Sequence, residues 1–241
     1  LALAATGSLD ATCFDSSDGG FTFELSGTAE PSFSWIPALG TLDGTSVTGL
    51  PVGDYTVTAT DTLGCTAAIE VTVGSPEPVL VDAIVSDVYC NGGDNGAIQI
   101  MANGGTGSYT YAFNCADFGT EDTFVGLSAG DYSVCVEDAA GCSAVWTGTV
   151  YEPEALAINV DDVQPDVNET GSGSISVTVT GGTAEYTYAW TGLGGTFQSA
   201  EEDLTGLTAG TYSLTVTDDN GCSATVEGIN IDAVGVSELE V

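Results

Sequence analysis

Three near-copies of one 17-residue stretch constrain this chain more than anything else in it. They are GLPVGDYTVTATDTLGC (Gly49 to Cys65), GLSAGDYSVCVEDAAGC (Gly126 to Cys142) and GLTAGTYSLTVTDDNGC (Gly206 to Cys222), starting 77 and then 80 residues apart. Each reads as a glycine turn, a strand and a second turn that ends in cysteine. The alternation at Tyr132, Val134 and Val136 sends every second side chain to one face, the period of a half-buried strand. The glycines suit backbone positions with φ > 0 or close chain approach. A chain of 241 residues built this way is three tandem repeats, read as 1–78, 79–155 and 156–232, with a tail at 233–241.

The rest of each repeat fits the same plan. Phe21–Leu25, Gly96–Ala102 and Ser174–Thr180 read as alternating strands. Glycine-rich turns then feed strands that carry Trp35, Phe113 and Trp190 at matching positions, expected to be the central core aromatic of each repeat. The segments SPEP (Ser75–Pro78) and YEPEA (Tyr151–Ala155) read as short, stiff linkers. No amphipathic helix is evident. About seven short strands per repeat predict an all-β fold: three tandem Ig-like β-sandwiches arranged as an elongated rod.

Charge narrows the function. There are 35 Asp and Glu and no Lys, Arg or His, and the acids are spread through all three repeats. Nothing can neutralise phosphates, so nucleic acid is excluded as a partner. Docking on an anionic membrane surface fails likewise, and no apolar run is long enough to insert. Ordinary nucleophilic or acid–base catalysis lacks its bases and cationic clamps, so the chain is read as not an enzyme. Calcium is the candidate cation for oxygen-only ligands, at Asp15 and Asp18 in one turn, Asp94 in the matching turn and Asp218 before Cys222. Solvated turn carboxylates are the alternative reading of these four.

The seven cysteines follow the repeats. Cys13 to Cys65 and Cys90 to Cys142 both span 52 residues, which predicts one disulfide inside each of the first two repeats. Cys115 and Cys135 are extra to repeat 2 and are expected to form a second bridge there. Counting 52 back from Cys222 lands on Thr170, so Cys222 is expected to be unpaired or bridged to another chain. Asn168-Glu169-Thr170 is a candidate glycosylation sequon at Asn168. Disulfides imply an oxidising, extracellular location.

One order of residues recurs: Cys, an Asn/Asp-Gly turn, a strand, GGT-x-x-Tyr-x-Tyr-x-Trp, then Gly-Leu-x-x-Gly-x-Tyr-x-Val-x-Val-x-Asp-x-x-Gly-Cys. It resembles the SprB-type repeat of large surface adhesins in gliding and filament-bearing Bacteroidota. Repeat 1 departs at Glu30-Pro31-Ser32-Phe33, and repeat 3 lacks the first cysteine. The terminal VGVSELEV resembles the segment before a type IX secretion sorting domain, which would place Val241 near a mature C-terminus. The same resemblance suggests O-glycans on Asp-Ser/Thr-aliphatic triplets, with Thr62 and Thr123 as candidates.

The expected function is a secreted structural subunit of an extracellular filament or surface matrix. It would polymerise with itself, head to tail, through terminal repeats or a C-terminal strand donated from Ala233–Val241. The alternative is a cell-surface adhesin segment that binds glycans or other surface proteins, with Gly192–Asp203 of repeat 3 as its candidate loop.

Overall fold

The computed structural model describes residues 1–27 and 31–235. Repeat 1 forms β1 (Ala2–Leu9), β2 (Gly19–Ser26), β3 (Ser32–Ile36), β4 (Thr41–Asp43), β5 (Ser46–Leu50), β6 (Gly53–Thr60) and β7 (Thr66–Val73). Repeat 2 forms β8 (Leu80–Ser86), β9 (Gly96–Asn103), β10 (Thr110–Phe113), β11 (Thr123–Leu127), β12 (Gly130–Glu137) and β13 (Ser143–Val150). Repeat 3 forms β14 (Ala157–Gln164), β15 (Asp166–Val167), β16 (Gly173–Thr180), β17 (Thr187–Gly192), β18 (Phe197–Ser199) and β19 (Leu204–Leu207). It continues with β20 (Gly210–Thr217), β21 (Ser223–Ile231) and β22 (Ala233–Val234). Among the described residues the only helical turn is Leu193–Gly195, and no helix is long and apolar enough to cross a membrane.

The strand order identifies the fold. Repeat 1 has one sheet ordered β1-β2-β5-β4 and another ordered β3-β6-β7. This is the ABED and CFG arrangement of an Ig-like sandwich. Repeat 2 keeps the ABE and CFG orders, without a counterpart of β4, as β11-β9-β8 and β10-β12-β13, and repeat 3 keeps them as β14-β16-β19 and β17-β20-β21 with β18 added beside β17. The register is preserved too, since Trp35 faces Val57, Phe113 faces Val134 and Trp190 faces Leu214 across the same strand pair. A tyrosine corner marks the start of β6 and of its counterpart β20: Tyr55 donates to the Pro51 carbonyl and Tyr212 to the Thr208 carbonyl, both at 2.8 Å.

By packing, the chain divides into two compact units. One comprises Leu1–Ile84, Gln99–Thr123 and Tyr132–Gly148; the other comprises Val85–Ile98, Phe124–Asp131 and the chain from Thr149. The first contains a core of Phe21, Phe23, Val47, Leu50, Tyr55, Val57, Val71 and Val73. The second contains a larger core that includes Ile175, Trp190, Leu207, Tyr212, Leu214 and Ile231. These are the inward positions of alternating strands, so period-2 patterning suffices to place them.

The three aromatics are not equivalent in burial. Trp190 is fully buried, and its indole N–H reaches the Glu201 carbonyl at 2.9 Å. Trp35 and Phe113 are only half-buried. Repeat 3 covers its tryptophan because β18 folds back on β17, pairing Trp190 with Ser199. Part of the Gly192–Asp203 segment, read from sequence as an adhesin loop, is therefore this hairpin.

Candidate functional site

The Asp-x-x-Gly-Cys turn is built the same way three times. Asp61 accepts the amides of Leu63 and Cys65 at 2.9 and 2.8 Å. Asp138 accepts those of Ala140 and Cys142, both at 2.9 Å, and Asp218 accepts that of Cys222 at 2.8 Å. The glycine of each turn has φ between 81° and 86°, a left-handed conformation that disfavours a Cβ. In repeats 2 and 3 the second carboxylate oxygen takes the amide of the GGT threonine, Thr106 at 2.7 Å and Thr183 at 2.8 Å. One aspartate thus locks two turns at the same end of repeats 2 and 3.

The linkers dock on that end. Gly105 donates to the Glu77 carbonyl at 2.9 Å, and Gly182 donates to the Glu154 carbonyl at 2.8 Å. A Cβ at Gly104 would lie 2.0 Å from the Pro78 carbonyl oxygen, and one at Gly181 would lie 2.0 Å from that of Ala155. The paired glycines of the GGT motif are therefore needed to seat the incoming chain.

The disulfides cross these junctions. Cys13 is bonded to Cys142 and Cys90 to Cys222, with Cα–Cα distances of 5.5 and 5.6 Å. This corrects the expected pairs Cys13–Cys65 and Cys90–Cys142. The first-turn cysteine of one repeat joins the Asp-x-x-Gly-Cys turn of the next. Cys222 is consequently neither unpaired nor intermolecular, and Cys65 is the free, exposed thiol. The physical reason is the linker seating, which brings the end of one repeat that carries Cys13 or Cys90 against the locked turns of its successor. Cys142 Sγ lies 3.3 Å from the Thr12 carbonyl oxygen and Cys222 Sγ lies 3.4 Å from that of Tyr89. Asn220 adds a hydrogen bond to the Tyr89 carbonyl at 3.1 Å. Cys115 and Cys135 form the third bridge, inside repeat 2.

Repeat 3 ends differently. Thr12 and Tyr89 donate their amides to Asp18 and Asn95 across the first turn, and Val167 does so to Ser172 Oγ at 2.8 Å. That correspondence puts Asn168, the residue after Val167, where Cys13 and Cys90 stand. Thr170 is not the equivalent, because Gly173 to Cys222 is three residues longer than Gly96 to Cys142, while Asn168 to Gly173 is one residue shorter than Cys90 to Gly96. Instead of a disulfide, β15 pairs in parallel with β22, and Asn168 donates its amide to Val234 at 2.9 Å. Asp166 replaces the buried Ala11 and Val88 of the other repeats; it is 1% exposed and accepts the amides of Gly171, Ser172 and Ala209. Of the tail read as a donated strand, Ala233–Val234 is paired within its own chain, and residues 236–241 lie outside those described.

Electrostatics follow from these bonds. The Ser16 and Thr12 hydroxyls and the Thr12 amide hold Asp18 down to about 2. The Cys65 amide lowers Asp61, and the Ser172 amide, ahead of an opposing effect of burial, lowers Asp166. Burial raises Asp138, but amides from Thr106, Cys142 and Ala140 outweigh it and leave it below the usual range.

Of the calcium candidates, Asp18 accepts the Thr12 amide and the Ser16 hydroxyl on one oxygen, Asp218 accepts the amides of Cys222 and Thr183, and no three acids converge at one point among the described residues. Thr62, Thr123 and Asn168, the candidate glycosylation positions, are all exposed.

Comparison with known proteins bears on two segments. The family model described as SprB repeat matches residues 83–117 and 168–195, the first starting within β8 and the second just after β15, and each running through the glycine turn and the aromatic strand. No curated protein matches the chain. Among solved structures, Sidekick-1 immunoglobulin domains 1–5 are similar at 12% identity with a TM-score of 0.38, over 98% of this chain and 59% of that one. The N-terminal eight Ig domains of Down Syndrome Cell Adhesion Molecule isoform 1.30.30 are similar at 9% identity and TM-score 0.42, over 96% and 36%. Drosophila OTK extracellular domains 3–5 are similar at 10% identity and TM-score 0.28, over 96% and 97%. The chain therefore spans about 59% of the first of these neighbours. What the sequence comparisons place on this molecule is similarity to the SprB repeat, in its second and third repeats.

Proposed function

We propose that this chain is a force-transmitting segment of an extracellular surface protein, non-catalytic, in which Ig-like repeats are joined covalently in series and serve a filament or surface matrix. One observation carries the reading: the disulfides run between neighbouring repeats rather than within them. An in-repeat bridge protects one domain. An inter-repeat bridge also removes the linker as a weak point, because tension passes through sulfur rather than through Ser75–Pro78 or Glu152–Ala155. The two bridges overlap along the chain, so repeat 2 is held from both sides. The acidic surface, with no basic side chain, keeps such segments from collapsing on one another. Oxidising conditions, and so an extracellular or cell-surface location, are required for the bridges to persist.

Pulling the oxidised chain from its ends by single-molecule force spectroscopy tests this. With the observed bridges the shortest covalent path releases roughly a quarter of the contour length of the reduced chain. In-repeat bridges would release more than half, and that outcome would remove the basis of the reading.

The adhesin alternative is favoured by one feature, the β17–β18 hairpin that gives repeat 3 an added edge on its sheet. Binding of defined glycans or surface proteins by the intact chain, lost when Leu193–Ala200 is shortened, would select that function.

A further inference from the structure

The bridges form a series with an unfilled position. Cys142 and Cys222 each close the Asp-x-x-Gly-Cys turn of a repeat and each is bonded to the first turn of the repeat before it. Cys65 closes the same turn in repeat 1, with Asp61 accepting its amide as Asp138 and Asp218 do those of Cys142 and Cys222, and it is a free, exposed thiol. A second observation points the same way. Two residues before the cysteine, Asn220 of repeat 3 touches the preceding repeat through the Tyr89 carbonyl. The residue at that position in repeat 1 is Leu63, which is 88% exposed, an apolar side chain held out where its counterpart makes a junction contact.

We infer that Cys65 is the acceptor end of a further junction and forms a disulfide with the first-turn cysteine of another SprB-like repeat, outside the three described. This rests on the inter-repeat bridging proposed above. A second copy of the same three repeats does not supply the partner. Its Cys13 and Cys90 are already bonded, and Asn168 stands in its third first turn, where the chain pairs with β22. The partner repeat therefore carries a first-turn cysteine that its own following repeat does not use. It belongs to the same polypeptide or to a different chain.

The bond forms by exchange with a protein disulfide. The Cys65 thiolate attacks one sulfur of that oxidant to give a mixed disulfide, and the partner's thiolate then displaces the oxidant. Two thiols lose two protons and two electrons to make one S–S bond, and the oxidant leaves as a dithiol.

The test uses the native protein, acid-quenched and alkylated without reduction, then cut with an Asp-specific protease, since trypsin has no site. The Cys65 peptide is expected joined to a cysteine peptide from outside residues 1–241. Intact mass before and after reduction separates the sources: a second chain is released by reduction, whereas a repeat of the same polypeptide is not. Replacing Cys65→Ser should abolish that cross-link completely and leave Cys13–Cys142 in place. Quantitative alkylation of Cys65, or its capture only by a small thiol, overturns the inference while Cys13–Cys142 stands. A Cys13–Cys65 peptide overturns both the inference and the proposed function.

Discussion

The turn after the first strand does opposite things in different repeats. In repeats 1 and 2 it reaches forward, presenting Cys13 and Cys90 to the next repeat. In repeat 3 it turns inward: Asp166 is buried in place of Ala11 or Val88, and β15 takes β22 as a strand partner. The scaffold is shared, because the central strand order and the Asp-x-x-Gly-Cys turn are the same on both sides. A few residues in one loop thus decide whether a repeat offers a covalent handle or closes on its own chain.

The largest effect should come from removing a handle. Replacing Cys13→Ser opens a ring of sequence separation 129. In the chain-entropy account that costs about 5 kcal/mol. Thermal unfolding of oxidised protein should show it, and reduction should erase the difference from wild type. Replacing Trp190→Ala should cost about 3–5 kcal/mol because the residue is fully buried, and Trp35→Ala distinctly less. That pair tests whether repeat 3 draws more of its stability from its central aromatic than repeat 1 does.

Replacing Asp166→Val makes repeat 3 resemble repeat 2 at Val88. It should destabilise rather than stabilise, since the amides of Gly171, Ser172 and Ala209 lose their acceptor. The effect is pH-dependent with a definite sign. Asp166 is lowered in the folded state, so its contribution is present above the ordinary carboxylate range and lost as pH falls through the folded value. Chemical denaturation of both proteins from neutral pH downward should therefore show the gap closing in acid. The smallest change is Tyr212→Phe, which removes one hydrogen bond to Thr208 and should cost about 1 kcal/mol by the same measurement.

The strands and the Ig-like topology were legible because period-2 alternation and turn glycines are local signals. The register of the bridges was not. A spacing of 52 inside repeats with a period of 77 describes the Cys13–Cys65 pairing and the Cys13–Cys142 pairing equally well, because a shift by one whole repeat leaves the pattern unchanged. Counting cysteines does not help either. In-repeat pairing leaves Cys222 over and next-repeat pairing leaves Cys65 over, one odd thiol in each case. The misplacement at Thr170 has a plainer cause: counting back from Cys222 crosses the longer β17–β19 region, whereas counting from Gly173 does not. A signal for the junction was present in the GGT motif. Two adjacent glycines are more than a turn requires, and the excess is explained by the linker pressed against them.

The central claim is that disulfides join each repeat to the next, and non-reducing peptide mapping of the oxidised 241-residue chain tests it most directly. The account predicts one cross-linked peptide containing Cys13 and Cys142 and another containing Cys90 and Cys222. Peptides linking Cys13 to Cys65 and Cys90 to Cys142 would contradict it.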